Sequence, residues 1–173
     1  MHRRMVSTGL VLSAASLGLA PLHAWADDDD EGKLSVTVAF GAGLNTAQPG
    51  NAANHHVLPH QIKVRKGGVV NFVVAGFHQL IVYKPGVTQA AVAAFLASLG
   101  TPPFFIDFDP ANVLYRGIAP AGGPPPGTAA TANPSNAGNR VESVSFAEAG
   151  DYLVVCNVRS HFVDGMWATV RVR

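Results

Sequence analysis

The feature that most restricts the fold of this chain is a series of short segments in which apolar and polar residues alternate. The first runs from 34 to 40 and has the period of a half-buried β-strand. Similar or continuously apolar segments follow at 61–66, 69–75, 79–83, 141–146, 152–156 and 167–172, with a short edge strand expected near 112–115. Gly67 and Gly68 predict a tight turn. About seven or eight short strands indicate an all-β two-sheet sandwich or a small barrel.

One amphipathic helix is predicted within this β pattern. Apolar residues lie at i, i+3, i+4 and i+7 from Val92, Thr88 is a suitable N-cap and Gly100 a suitable stop. The following stretch, 101–140, is rich in proline and glycine and predicts a long surface excursion. The helix and this stretch together form an expected insertion at about 86–140.

The N-terminal residues have the pattern of an export signal. Arg3 and Arg4 precede an apolar stretch, and Ala24-Trp25-Ala26 fits the small-x-small cleavage rule. We expect residues 1–26 to be a secretory signal peptide cleaved after about Ala26, with an uncleaved anchor as the alternative. Residues 27–33 are then an acidic N-terminal tail, and 34–173 an exported domain with no membrane span.

Composition and motifs exclude several classes of function. Hydrophobic residues make up 48% of the chain, charged residues 13%, and the formal net charge is +1. This is too apolar for a disordered chain and carries no basic field for nucleic acid. No Ser/His/Asp motif, phosphate loop or paired-carboxylate pattern is evident, so we expect no catalytic residues and no enzyme. We expect a monomer.

A single cysteine leads to the functional hypothesis. In an exported protein an unpaired Cys156 is buried, reactive, paired between chains or bound to a metal. His161 and Met166 follow it within eleven residues, and thiolate, imidazole and thioether together suit copper. A second imidazole is needed for a His₂Cys site, and His78, which follows an apolar strand and Gly76, is the best candidate.

With these residues the sequence resembles the cupredoxins, the blue (type 1) copper proteins that include plastocyanin, azurin and rusticyanin. The segment 75–78 (Ala-Gly-Phe-His) is similar to the family's first-ligand segment, and 150–156 to the strand that ends at the ligand cysteine. The C-x4-H-x4-M spacing is closest to the rusticyanin-like pattern. The resemblance covers roughly 34–173. Two features depart from the family. The excursion after the helix is unusually long, and Gln79 follows His78 at a position where the family often has asparagine.

The resemblance implies a Greek-key β-sandwich that binds one type 1 copper ion. By this resemblance the three equatorial ligands are His78, Cys156 and His161, and the weak axial ligand is Met166. The implied function is a periplasmic carrier of single electrons between redox proteins such as a cytochrome, an oxidase or a reductase. A periplasmic copper carrier or chaperone is the alternative.

Three further expectations concern the surroundings of the site. Asn157, directly after the cysteine, is expected to form a hydrogen bond within the ligand loop and so to hold it. Phe162 and Val163 are expected to form an apolar patch around an exposed edge of His161. A histidine cluster at 55, 56 and 60 is either a polar loop or a second metal site.

Overall fold

The protein is described by a computed structural model that covers residues 32–41, 55–101, 103–119 and 139–173. The predicted signal peptide, most of the acidic tail and half of the proline-rich excursion lie outside these residues. The described elements, in chain order, are β1 (Lys33–Gly41), β2 (Val57–Leu58), β3 (Gln61–Ala75), β4 (Leu80–Tyr83), α1 (Gln89–Ser98), β5 (Val113–Arg116), β6 (Arg140–Phe146), β7 (Gly150–Cys156), α2 (Arg159–Val163) and β8 (Trp167–Val172).

The strands form two sheets that share β3. The first sheet has the order β2-β1-β3-β6, and the second has the order β3-β8-β7-β4-β5. The N-terminal part of β3, Gln61 to Val64, pairs in parallel with β8. Its C-terminal part pairs in parallel with β1 and antiparallel with β6. The long strand therefore passes from one layer of the sandwich to the other.

The main core lies between the two sheets. Alternate residues of each strand point into it, as the period of the sequence requires. Those buried from the first sheet are Val38, Phe40, Val57, Val70, Phe72, Val74, Val144 and Phe146, and those from the second are Ile62, Val64, Leu80, Val82, Tyr152, Val154, Cys156, Ala168, Val170 and Val172. Cys156 is thus a core position at the end of its strand.

Helix α1 covers the outer face of the second sheet. Val92 and Leu96 are buried there in a second apolar cluster that includes Ile81 and Tyr83 of β4. The Thr88 side chain accepts a hydrogen bond from the backbone N–H of Ala91, which satisfies one free donor of the first turn. Both faces of β4 are therefore covered, which explains why all four of its residues are buried. No helix among the described residues is long and apolar enough to cross a membrane.

The predicted all-β sandwich with an inserted helix is confirmed, with two differences. The turn expected at Gly67 and Gly68 is wrong, because β3 continues through both residues as a single strand. Lys33 of β1 pairs with Val64 and Ser35 pairs with Val69, so the extra residues of β3 form a bulge there. Gly67 has a φ of 79°, which favours glycine. The second difference is α2, whose five residues are too few to show a helical period.

Of the two residues expected to form an apolar patch around His161, Phe162 and Val163, only Val163 is exposed. Phe162 is 3% exposed and packs in the apolar cluster beneath α1, whereas its neighbour Val163 is 64% exposed. The α-helical turn explains the contrast, since successive residues of a helix point in different directions.

Truncation of Phe162 is therefore expected to destabilise the fold. Phe162→Ala removes a buried aromatic side chain and should lower the free energy of unfolding by about 3–5 kcal/mol. The matched control Val163→Ala should change it by no more than about 0.5 kcal/mol. Urea unfolding of the metal-free proteins measures both values, and equal losses for the two variants would contradict this packing.

Candidate metal centre

The four predicted ligand residues lie at one end of the sandwich. His78 lies between β3 and β4, Cys156 is the last residue of β7, His161 belongs to α2, and Met166 immediately precedes β8. Strands β4 and β7 are antiparallel neighbours in a register that pairs Leu80 with Cys156. This register brings residue 78 to the end of β7, although 78 positions separate it from the cysteine.

Two imidazoles and the thiol form a compact triangle. The Nδ1 atoms of His78 and His161 are 2.9 Å apart. Cys156 Sγ lies 3.8 Å from Nδ1 of His78 and 3.6 Å from Nδ1 of His161. All three residues are buried, and no other group of three or more His, Cys, Asp or Glu donors this close together occurs among the described residues.

The size of this triangle fits a metal ion. Its circumcentre lies about 2 Å from each of the three donor atoms, and metal–nitrogen and metal–sulfur bonds are about 2.0–2.3 Å long. Two nitrogen donors and one thiolate are a donor set that copper accepts. The structure therefore has the spacing of a three-coordinate metal site built from the protein's own side chains.

Met166 is held beside this triangle by the backbone. The N–H of Cys156 donates to the carbonyl of Met166 at 3.0 Å, and the N–H of Met166 donates to the carbonyl of His161 at 2.9 Å. Its side chain is fully buried in the core cluster that also contains Cys156. The thioether is thus enclosed at the same end of the core as the three donors.

The His78 ring is fixed by a close backbone approach. Gly41, at the end of β1, has a φ of 93°, and a Cβ atom there would lie 2.8 Å from Nε2 of His78. The ring also makes a hydrogen bond to the backbone of Ala75. Glycine at 41 thus leaves the space in which the ring sits, and Nδ1 remains directed at the thiol.

Burial keeps both imidazoles neutral. Desolvation, together with the neighbouring His161, His55 and Arg140, lowers the pKa of His78 from 6.5 to about 3. Desolvation likewise lowers the pKa of His161 from 6.5 to about 4. Neutral imidazole is the form that binds a metal, so both side chains are available as donors at neutral pH.

Burial has the opposite consequence for the thiol. Desolvation raises the pKa of Cys156 from 9.0 to about 12, so that the metal-free protein holds a protonated thiol at neutral pH. A metal that binds the thiolate must therefore displace this proton.

A buried polar network lies behind the donors. Asn157 donates from Nδ2 to Oε1 of Gln79 at 2.8 Å, and its backbone N–H donates to the Gln79 carbonyl at 2.8 Å. Its Oδ1 accepts from the N–H of Asp107, and Gln79 Nε2 donates to the carbonyl of Gly117. The side chain of Asn157 does not bond within the ligand loop as expected, but to Gln79 and Asp107. Its bond to Gln79 joins the residue after Cys156 to the residue after His78.

Arg140 supports the first ligand from another side. Its guanidinium donates to the carbonyls of His78 and Ile118, both at 3.0 Å, and pairs with the carboxylate of Glu142. Arg140 begins β6, at the end of the stretch 101–140 that is predicted to be a surface excursion. Sequence analysis did not identify it, because the pairing spans 62 positions and no local pattern marks it.

The histidine cluster at 55, 56 and 60 is divided in the structure. His55 is buried against His161, with ring centroids 3.7 Å apart, and its Nδ1 lies 2.6 Å from a carboxylate oxygen of Asp164. His60 is exposed, and its ring bonds to the carbonyl of Trp167. Within the described part of the chain, these histidines form no metal cluster of their own.

Comparison with known proteins finds similarity only among solved structures. No family model matches the sequence, and no curated protein matches it. The structure is similar to a dithionite-reduced auracyanin from Roseiflexus castenholzii, with 17% identity and a TM-score of 0.47 over 82% of this chain and 98% of that one. It is also similar to auracyanin A, described as a "blue" copper protein, from Chloroflexus aurantiacus (19% identity, TM-score 0.43, 82% and 100% covered) and to reduced rusticyanin (16%, 0.42, 80% and 78%).

The depressed histidine pKa values predict how the metal-free protein responds to acid. Because the folded state keeps His78 and His161 neutral, the unfolded state binds more protons below pH 6.5. Stability should be unaffected by these groups above pH 6.5 and should fall as the pH drops towards 4. Thermal unfolding between pH 7 and pH 5 measures this loss.

Two variants identify its source. His78→Ala should reduce the loss of melting temperature on acidification, whereas His60→Ala, at an exposed histidine, should leave it unchanged. An equal pH dependence in the wild type and His78→Ala would contradict the pKa of this buried imidazole.

Proposed function

We propose that this protein is a type 1 copper protein that carries single electrons between redox proteins. The observation that carries the proposal is the buried triangle of His78 Nδ1, His161 Nδ1 and Cys156 Sγ, with sides of 2.9–3.8 Å. Met166 is the proposed weak fourth ligand. When bound, copper supplies the one-electron change between Cu(I) and Cu(II), and the donor set suits both states.

The surroundings favour a carrier that changes little when its charge changes. The donors are already in place, and the Asn157–Gln79 pair and the Arg140 guanidinium fix the backbone beside them. A preorganised site has little to rearrange in either oxidation state. The apolar core around Cys156 and Met166 excludes water, which favours the lower charge of Cu(I).

A carrier fits this site better than an enzyme or a copper chaperone. With four protein ligands there is no open position for a substrate, in contrast to catalytic metal sites. Copper handover requires an exchangeable, accessible site, but the three donors here are buried. An exposed cluster of histidines at 55, 56 and 60 would favour handover, but the structure divides these residues, and His55 is buried beside His161.

We place the protein in the periplasm on the pattern of residues 1–26. The positively charged start, the apolar stretch and the small-x-small site predict export with cleavage after about Ala26. A free thiol in such a compartment is protected when it is buried and bound to copper.

Docking of redox partners is proposed at the metal end of the sandwich. Val163, two residues after His161, is 64% exposed, and Phe104 is 46% exposed. Phe104 contacts Phe77, which directly precedes His78. An apolar surface beside the ligands provides a short path for an electron, and it replaces the patch expected at Phe162.

The ligand set is tested by the visible spectrum of the copper-loaded protein. Wild type should show the intense copper–thiolate absorption. Cys156→Ser should abolish it, because a hydroxyl does not replace the thiolate at neutral pH. Met166→Leu should keep copper and colour but raise the reduction potential, since a weak donor that stabilises Cu(II) is lost. Survival of the band in Cys156→Ser would remove the cysteine from the site, and an unchanged potential in Met166→Leu would remove the thioether.

The docking surface is tested by a charge placed on it. Val163→Asp should slow the oxidation of a reduced c-type cytochrome, followed by stopped flow, by about tenfold, which corresponds to about 1.4 kcal/mol of docking free energy. The spectrum should not change. Leu34→Asp is the matched control, because Leu34 is 65% exposed near the start of β1, away from the end at Gly41 that contacts His78. Equal effects of both variants would place the docking surface elsewhere.

A further inference from the structure

A third imidazole, that of His55, packs against the two proposed histidine ligands. His55 lies two residues before the start of β2, and its ring stacks on that of His161 with centroids 3.7 Å apart and planes inclined by 22°. The same ring meets His78 edge-on, with centroids 5.9 Å apart and an interplanar angle of 88°. His55 is only 7% exposed. The segment before β2 thus covers the face of His161 with an aromatic ring.

The His55 ring is anchored by a carboxylate from the ligand segment itself. Nδ1 of His55 lies 2.6 Å from Oδ2 of Asp164, which caps the C-terminus of α2 three residues after His161. The short distance to a carboxylate places the proton on Nδ1, which donates. A carboxylate that accepts from a histidine fixes the orientation of that ring. Nε2 of His55 is buried and has no hydrogen-bond partner.

The geometry of His55 fits a clamp, that is, a residue that holds the His161 ring in place, and not a further metal ligand. A metal bound to Nδ1 of His161 lies in the plane of that ring, along the nitrogen lone pair. The His55 ring is nearly parallel to that plane and displaced from it, so the metal position faces the flat side of His55 rather than its nitrogen lone pairs. His55 also does not belong to the close group of donor atoms. Its effect on the metal therefore passes through His161.

We propose that His55, anchored by Asp164, is a positioning residue that holds the His161 ring in its metal-binding orientation and retains the bound copper. For His161 to turn away from the site, it must leave the stacked contact with a ring that is itself tied to α2. The free energy of an aromatic contact and the entropy cost of ordering a side chain are each comparable to the contribution of a single interaction to stability. The rotamer entropy of His161 is thus lost on folding rather than on metal binding.

The clamp is tested first on the metal-free protein, where it does not depend on the proposed function. NMR relaxation of ¹³C-labelled histidine rings measures the order of His161. Its ring should be ordered in wild type and mobile in His55→Ala. His55→Phe keeps an aromatic ring but not the hydrogen bond to Asp164, and should restore part of the order. His56→Ala, at the neighbouring histidine, is the control and should resemble wild type.

The second test measures copper retention and rests on the proposed function. Removal of copper by an excess of a chelator should be at least tenfold faster in His55→Ala than in wild type, and faster in Asp164→Ala as well. His55→Phe keeps the stacked ring but loses the hydrogen bond to Asp164, so it should lie between His55→Ala and wild type and close to Asp164→Ala. The melting temperatures of the metal-free variants serve as the control for general destabilisation. If His55→Ala loses copper faster and melts at a lower temperature while the His161 ring remains ordered, general destabilisation explains the loss of copper and the proposal is overturned.

The two proposals fail in different ways. An ordered His161 and unchanged copper loss in His55→Ala would overturn the clamp, as would a His55→Phe variant that behaves like His55→Ala. A wild-type protein that lacks the intense copper–thiolate band would overturn the type 1 assignment, whereas the NMR comparison would still decide the role of His55.

Discussion

The register between β4 and β7 is the constraint on which the site depends. Because Leu80 faces Cys156, the chain that enters β4 from His78 reaches the end of β7 with its imidazole beside the thiol. Both strands are buried on both faces, between the main core and the cluster beneath α1. A shift by one residue would exchange these faces and turn Cys156 away from the main core. The packing of α1 on the outer face therefore helps to fix the metal site on the inner one.

Much of this arrangement can be predicted from the sequence, because its causes are local. Alternating apolar residues define the strands, the spacing from Val92 with a cap at Thr88 defines α1, and the order of Cys156, His161 and Met166 indicates the donor set. The missed features have causes distant in sequence. The contact between His55 and Asp164 spans 109 positions and that between Arg140 and His78 spans 62. The bulge in β3 and the inward direction of Phe162 follow from pairing and packing, for which a single sequence gives no signal.

The site is enclosed by residues from different parts of the chain. The amide pair of Asn157 and Gln79 lies behind the donors, Arg140 binds the His78 carbonyl, and His55 covers His161. Each contact joins segments that are far apart in sequence, so none of them forms unless the sandwich has folded. The orientation of the donors is consequently a property of the whole fold and not of the ligand loop alone.

This enclosure has an energetic consequence for the metal-free protein. Two imidazole nitrogens lie 2.9 Å apart in a desolvated space, and protonation of either is disfavoured there. The thiol is buried and protonated. The folded chain thus holds three donor atoms close together, and a metal ion would bind them better than they bind one another. A ligand that binds only the native state stabilises it in proportion to the logarithm of its concentration relative to Kd. Copper bound as proposed would therefore stabilise the folded protein as well as supply its redox chemistry.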